Sequence, residues 1–541
     1  MIINPVLHGF NPDPSFVRVG DTYYIANSTF EWWPGVRLHQ SQDLVHWTLL
    51  NSPLTRTSQI NMRGIPSSGG VWAPDLSYAD GKFWLVYSNI EVVNGAFKDG
   101  INYLITADDI NGPWSEPIEL DRTGFDASLF HDDDGRKYLV QQTWDFRPGH
   151  HAFDGITLTE YDPVEHKLLL STRRTLWRGT DVKIVEGPHL LKKDGYYYLF
   201  CAEGGTQYEH QESVARSKSL DALSFEVMPG NPLITNFDTP DFPLQKQGHG
   251  QIVETAEGEW YYASLVSRPW WHDWDTRHGV RGWSTLGRET SIQKVEWDSE
   301  GWPRIVGGQA GQVDVEQPKD APHIADSEEF ENSGYQHDTF TSPQLGKDWN
   351  TLRVPFTPKM GRVGDGKLVL RGQGSLANLF NLSLVARRWQ SQNFDAEVSL
   401  EFDPTNYMQM AGLTNYYNDF SWSWIFVTFN EKTGKQELQV AVNDRNGYSA
   451  PAASVELPEG VHSVRLRTRV RTQNYAYDYS FDNGSTWNTL VGGLDAAQFS
   501  DEYIAASYGG FFTGGFVGLA CCDVSGFYQE ATFTDFLYQE R

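Results

Sequence analysis

Apolar and polar positions alternate with a period of two along most of the chain, and five of these stretches share one pattern. Each opens on a polar or otherwise distinctive residue, runs through a short apolar strand and a turn containing Gly or Asp, and ends in an aromatic strand. They read NPDPSFVRVGDTYYIANS from Asn11, VWAPDLSYADGKFWLVYS from Val71, FDASLFHDDDGRKYLVQQ from Phe125, VEGPHLLKKDGYYYLFCA from Val185 and GHGQIVETAEGEWYYASL from Gly248. The pairs Gly20-Asp21, Asp80-Gly81, Asp134-Gly135, Asp194-Gly195 and Glu257-Gly258 stand where two-residue hairpin turns would join alternating runs. These turn glycines place a hairpin every 54 to 63 residues, and further short strands such as HQSQDLVHWTLL fill the intervals. Four strands per unit and five units predict a five-bladed β-propeller over residues 1–315.

After about Gly311 the chain turns polar and Pro-containing, VDVEQPKDAPHIADSEEFEN, which reads as a linker over residues 316–330. From 331 to 541 the alternation returns without the repeat, in KLVLRG, AEVSLEFD, SWIFVTFN, ELQVAVND and SVRLRTRV, and predicts a β-sandwich. The expected fold class is therefore all-β, a five-bladed β-propeller followed by a β-sandwich domain. A chain of 541 residues exceeds what one core serves, which agrees with two domains.

Composition and charge narrow the function. The 30 Phe, 25 Tyr and 20 Trp, against 6 Met, suit pleated strands, and exposed rings also grip the C–H faces of sugars. Lys and Arg total 43 against 70 Asp and Glu, and the resulting charge of −27 repels a nucleic-acid backbone or an anionic membrane but not a neutral sugar. The cysteines, Cys201, Cys521 and Cys522, are odd in number and lack metal-site spacing. No signal-peptide pattern opens the sequence, and no apolar run approaches the roughly 20 residues of a membrane span. A reduced, cytoplasmic protein is expected.

The repeat also aligns chemistry. Nine residues before the turn glycine stand Trp72, Asp126, Glu186 and His249 in repeats two to five; Asp13 holds the matching place in repeat one, one residue nearer its turn. Such positions begin the innermost strand of each blade and face the central channel. Three carboxylates confined to one place resist joint ionisation. Glycoside cleavage uses that conflict. One carboxylic acid protonates the leaving oxygen, one carboxylate assists attack from the opposite face, and a third raises the pKa of the acid. Carboxylates with one His also suit Ca2+ or Mn2+. No EF-hand-type loop is present, HDDDG at 131–135 reads as an acidic hairpin turn, and no cofactor is expected to be required.

NPDPS, WAPDLSYADGKFWL, FDASLFHD, VEGPHL and LGRET, with ARRWQSQNFDAEVSLEF and GGFFTGGFVGL further on, resemble the β-xylosidases of glycoside hydrolase family 43 over essentially the whole chain. The resemblance implies a propeller with a C-terminal sandwich, hydrolysing with inversion of configuration. It implies Asp13 as general base, Glu186 as general acid and Asp126 as the modulator of the acid's pKa. It further implies that His249 and Arg288 contact the xylose and that Phe30 and Trp72 wall its site. The loop GGFFTGG resembles one that reaches over the propeller's site and presents Phe511 or Phe512.

The sequence departs from the family pattern in two places. Val185 stands where similar enzymes often carry Thr before EGPH. The stretch RPWWHDWDTRHGVRGWS, Arg268 to Ser284, is rich in Trp and His and leaves the preferred chain length open. The implied activity is that of an exo-acting, inverting β-1,4-xylosidase on xylo-oligosaccharides with α-L-arabinofuranosidase side activity, in a homodimer or homotetramer. The alternatives are an α-L-arabinofuranosidase as main activity, a metal-dependent arabinan-cleaving enzyme, and a non-catalytic sugar-binding propeller. The last has no need of three aligned carboxylates.

Overall fold

The computed structural model describes residues 1–270, 281–327 and 329–541. It divides into two units. The first comprises Met1–Phe30, Pro34–Gly282 and Arg288–Glu331, and the second Glu31–Trp33, Trp283–Gly287 and Asn332–Arg541.

The first unit is a five-bladed propeller. Its inner strands are Ser15–Val19, Gly70–Ala79, Gly124–His131, Glu186–Lys193 and Gln245–Glu254, and each begins a separate antiparallel sheet of four or five strands. Neighbouring inner strands lie side by side, and the last lies beside the first, so the ring is closed. Inner strands of different blades share no ladder, and their backbone N–H groups must find other partners. Side chains supply them. Leu76 N donates to Ser15 Oγ at 2.8 Å, Phe16 N to Gln251 Oε1 at 2.7 Å, and Leu129 N to Asp75 Oδ2 at 2.8 Å. Ser128 Oγ donates to the Pro188 carbonyl at 2.6 Å. These polar residues inside apolar strands join one blade to the next.

The N-terminal residues fasten the ring. Ile2–Ile3 pairs with Asp314–Val315, Val6 N donates to the Thr290 carbonyl at 2.8 Å, and the Asn4 amide bridges both backbone groups of Ile292 at 2.8 Å. Residues 316–330, expected as a linker, group with the propeller unit, which runs to Glu331. Lys294 Nζ pairs with Glu316 at 2.8 Å, Tyr261 Oη donates to the Glu316 carbonyl at 3.0 Å, and Arg37 pairs with Glu331 at 2.8 Å. The polar composition that suggested a free segment provides these fastenings instead. Residues 31–33 and 283–287 lie inside the expected propeller range but group with the second unit.

Three hairpins have the expected two-residue turns, at Gly20-Asp21, Asp80-Gly81 and Asp194-Gly195. The other two do not. His131 pairs with Lys137 and Glu254 with Trp260, so residues 132–136 and 255–259 form longer loops. Asp132 accepts from Asp133 N, and its N–H bonds the Arg136 carbonyl, which holds the acidic HDDDG segment as a wider turn.

The second unit is a β-sandwich of an eight-stranded and a seven-stranded antiparallel sheet. Strand Ser463–Arg471 shows the underlying pattern: Val464, Leu466, Thr468 and Val470 are buried while the four Arg between and after them face outward. Two of those, Arg467 and Arg469, converge on the buried Asp478. Phe511 and Phe512 lie in this unit with ring centroids 4.8 Å apart, after the short helix Asp501–Ser507. The three cysteines are free and buried. Among the described residues no helix is long and apolar enough to cross a membrane.

Candidate active site

The aligned residues owe their orientation to irregularities at the start of the inner strands. The ladder slips between Trp72 and Asp75, between Phe125 and Ser128, between Glu186 and His189, and on both sides of Gly248. Each slip is a bulge, a device that re-aims side chains at the end of a strand. Backbone conformation confirms the redirection: φ is +51° at Asp13, +52° at Asp126 and +50° at His249, and +57° at Gly187 beside Glu186. Such values are uncommon for residues other than glycine and store roughly 1–3 kcal/mol each. Phe30, at +50°, is a fourth case, held by a bridge to Val71. Because the hairpins differ in length, counting back from the turn misses strict equivalence by one residue. Asp126 and Gly187, rather than Asp126 and Glu186, stand two places before the residues that resume the ladder, Ser128 and His189.

Asp13 is 5% exposed and fully engaged. Ser28 Oγ donates to Oδ2 at 2.6 Å, and the Arg288 guanidinium donates to Oδ1 at 2.8 Å. His249 Nδ1 stands 3.5 Å from the same Oδ1. The turn that carries Asp13 is fixed in place by Asn27, whose amide donates to the Asn11 and Pro12 carbonyls at 3.1 and 2.9 Å, and by Asn11 N donating to the Arg288 carbonyl at 2.9 Å. The blade 1 carboxylate and the blade 5 guanidinium are thus positioned by one network. Arg288 also donates to Thr206 Oγ1 at 3.3 Å and lies 5.3 Å from the Phe30 ring centre.

Asp126 and Glu186 form a buried, interacting pair that titrates together. Burial raises the Glu186 carboxyl to about 7, and the negative charge of Asp13 adds to the effect, while Lys98 and Arg288 oppose it. Asp126 is raised well above the usual carboxylate range, first by burial and then by Glu186 and Asp13. Burial and Asp13 therefore supply much of the tuning expected from Asp126.

Burial lowers His249 to about 4, so it is a neutral hydrogen-bonding group at neutral pH. Its ring packs on Gly187: a Cβ there would sit 2.6 Å from the imidazole. Gly187→Ala is expected to push His249 out of place, strain a left-handed backbone and lower turnover by tenfold or more, with a stability loss of about 1–3 kcal/mol. Kinetics and thermal unfolding of this variant check both; unchanged turnover would remove His249 from the site.

An aromatic wall continues from Phe30 through Trp72, 5.9 Å between centroids, to Phe125 at 5.4 Å from Trp72. Phe125 and Trp144 follow at 6.2 Å. The sequence brought Asp13, Phe30, Trp72, Asp126, Glu186, His249 and Arg288 forward, and all lie in the propeller unit. Phe511 lies in the other unit. Residues 271–280 of the Trp- and His-rich stretch lie outside the described residues. Sequence reasoning missed Ser28, Lys98, Phe125, Trp144 and Thr206. Only Phe125, next to Asp126 in its motif, carried a signal.

The arrangement offers an acid protonated near neutrality and a carboxylate held by a guanidinium, the division of labour that glycoside cleavage requires. The glycosyl hydrolases family 43 model matches residues 2–303, and the beta xylosidase C-terminal concanavalin A-like domain model matches residues 337–539. The chain belongs to glycosyl hydrolases family 43. It is 48% identical over the full length of both chains to a beta-xylosidase of Bacillus subtilis. It is 42% identical to xylosidase/arabinosidase 43B of Humicola insolens, over 99% of this chain and 97% of that one. Among solved structures, a xylan beta-1,4-xylosidase from Bacillus halodurans is 45% identical and superposes with a TM-score of 0.94 over 100% of both chains. This family 43 chain is a glycoside hydrolase in which propeller and sandwich follow one another as the sequence pattern anticipated.

Proposed function

We propose that this family 43 hydrolase is an exo-acting, inverting β-1,4-xylosidase that releases xylose from the non-reducing end of xylo-oligosaccharides, with α-L-arabinofuranosidase side activity. One observation carries the reading: burial raises the Glu186 carboxyl to about 7, while Asp13 accepts a hydrogen bond from the Arg288 guanidinium at 2.8 Å. The names borne by relatives of high identity point to xylosides, and the name of the Humicola relative adds arabinosides.

In this reading Asp13 takes a proton from a water that attacks the anomeric carbon. Glu186 gives its proton to the departing oxygen on the opposite face, one C–O bond forms as the other breaks, and configuration inverts. Arg288 holds Asp13 in line and the neutral His249 offers a hydrogen bond to the sugar. Phe30 and Trp72 supply flat walls to the sugar's C–H faces. Phe511 enters as a substrate contact on the strength of the GGFFTGG motif alone.

Because the acid works only when protonated, kcat/KM for xylobiose is expected to fall on the alkaline side with a midpoint near 7. A pH profile flat to pH 9 would contradict Glu186 as the acid. Paired assays with aryl β-xyloside and aryl α-arabinofuranoside test the sugar: faster turnover of the xyloside supports the proposal, and the reverse order makes the arabinofuranosidase the main activity.

A further inference from the structure

Lys98 lies in VNGAFKDG, a turn-rich segment between two propeller repeats that no motif marks. Its ammonium has an unusual setting. Nζ stands 5.0 Å from the Trp72 ring centre, 4.9 Å from Trp144 and 5.7 Å from Phe125, and donates to the Val93 carbonyl at 3.0 Å. Trp144 Nε1 donates to the Ala96 carbonyl at 2.9 Å and so ties the segment to the third blade. Three rings within 6 Å form a cation cage. Two of these rings belong to the aromatic wall of the site: Phe125 directly precedes Asp126 in the chain, and Trp72 lies 5.4 Å from Phe125.

The charges that face this ammonium are Glu186 and Asp126, and both favour its charged form against the burial that lowers its pKa. Glu186 in turn is faced by Asp13, Lys98 and Arg288. His249, packed on Gly187, responds to Asp13, His189 and Arg288, and is neutral. Arg288 is committed to Asp13 through its 2.8 Å hydrogen bond. Of the two cations that favour the Glu186 carboxylate, Lys98 acts more strongly than Arg288.

We propose that Lys98 is a positioning residue for the acid: its caged ammonium stabilises the Glu186 carboxylate left behind when the proton passes to the departing sugar oxygen. The inference rests on the acid role proposed for Glu186. In the step, the bond from the anomeric carbon to the leaving oxygen breaks and its electron pair takes the Glu186 proton. The carboxylate that remains faces Lys98 until a proton from solvent restores the acid. The aromatic cage holds the ammonium at a fixed place where the Glu186 and Asp126 charges both act on it. Without Lys98 the acid would hold its proton more tightly and give it up less readily to a poor leaving group.

The test is Lys98→Met, which keeps the unbranched apolar stem, with Lys98→Arg as the charge-preserving control. Wild type and both variants are assayed from pH 5 to 10 on xylobiose and on 2,4-dinitrophenyl β-xyloside, whose leaving group departs without protonation. For Lys98→Met, the alkaline limb for xylobiose is expected to move up by about one pH unit. Turnover of xylobiose at pH 6 is expected to fall roughly 10- to 100-fold, with that of the dinitrophenyl substrate changed less than threefold. Lys98→Arg should keep the wild-type limb. An unmoved limb with both substrates slowed alike would show that Lys98 only braces its loop, and would overturn the proposal. Should Lys98→Met not fold, a displaced limb in Lys98→Gln supports the proposal and an unmoved one overturns it. Wild-type enzyme inactive on both xylosides would instead refute the proposed function.

Discussion

Asp13→Asn is expected to lower kcat by about 10,000-fold on xylobiose and on 2,4-dinitrophenyl β-xyloside alike. The base acts on the attacking water, so its loss is felt however good the leaving group is. Asn keeps the size of Asp, and its one oxygen can still accept from Arg288 while its NH2 group donates to Ser28 Oγ, but it takes up no proton. The variant also leaves the Arg288 guanidinium buried without its counter-charge, both side chains being 5% exposed. Breaking a buried pair of this kind removes about 3–5 kcal/mol of stability. Near-UV circular dichroism at 20 °C separates loss of chemistry from loss of fold. A folded variant within tenfold of wild type on either substrate would rule Asp13 out as the base.

Glu186→Gln should show a different signature. Turnover of xylobiose is expected to drop by roughly 1,000- to 10,000-fold, because nothing protonates the sugar oxygen, while the dinitrophenyl substrate is spared most of that loss. The alkaline limb near pH 7 should vanish from what remains. Stability should move the other way. The folded-state pKa of Glu186, about 7, lies above its ordinary value of 4.5, and burial is the first cause. Its contribution to stability is therefore present below about 4.5 and lost as pH rises through about 7. Gln carries no charge to bury, so thermal unfolding at pH 8 should occur at a higher temperature in the variant than in wild type. Equal slowing of both substrates, or a retained alkaline limb, would assign the acid elsewhere. The contrast between the two variants separates base from acid without knowledge of the bound complex.

Much of the architecture was legible in the chain, and the reasons are physical. The propeller shows in the sequence because each blade repeats the same local problem, an apolar inner strand, a tight turn and an aromatic second strand. Asp13, Asp126 and Glu186 stand out because carboxylates at the head of apolar strands break that pattern. The exact register was less legible, since a five-residue loop at 132–136 and a two-residue turn at Asp194-Gly195 differ only subtly in composition. The bulges that turn the carboxylates into the site depend on positive φ at Asp126 and His249, which no periodicity announces. Lys98 was invisible because it comes from an irregular segment and gains its meaning only from rings donated by blades 2 and 3. Residues 316–330 looked like a linker because Pro and acidic residues do not reveal that Lys294 awaits Glu316.

The charge arrangement of the site also bears on the choice of variants. Burial raises Asp126 and Glu186 together, so a substitution at Asp126 alters the acid even when Glu186 is untouched. Kinetic losses at the two positions are therefore not expected to add.

The central claim is inversion at a xyloside by Asp13 and Glu186, and a proton NMR time course of xylobiose hydrolysis tests it most directly. The anomeric signals are followed from mixing, before mutarotation mixes the products. Early accumulation of α-xylose is the result predicted, since a single displacement by water inverts the β-linkage. Early β-xylose would mean a double displacement through a covalent intermediate, and would contradict both Asp13 as the base and Glu186 as the acid of a one-step inversion.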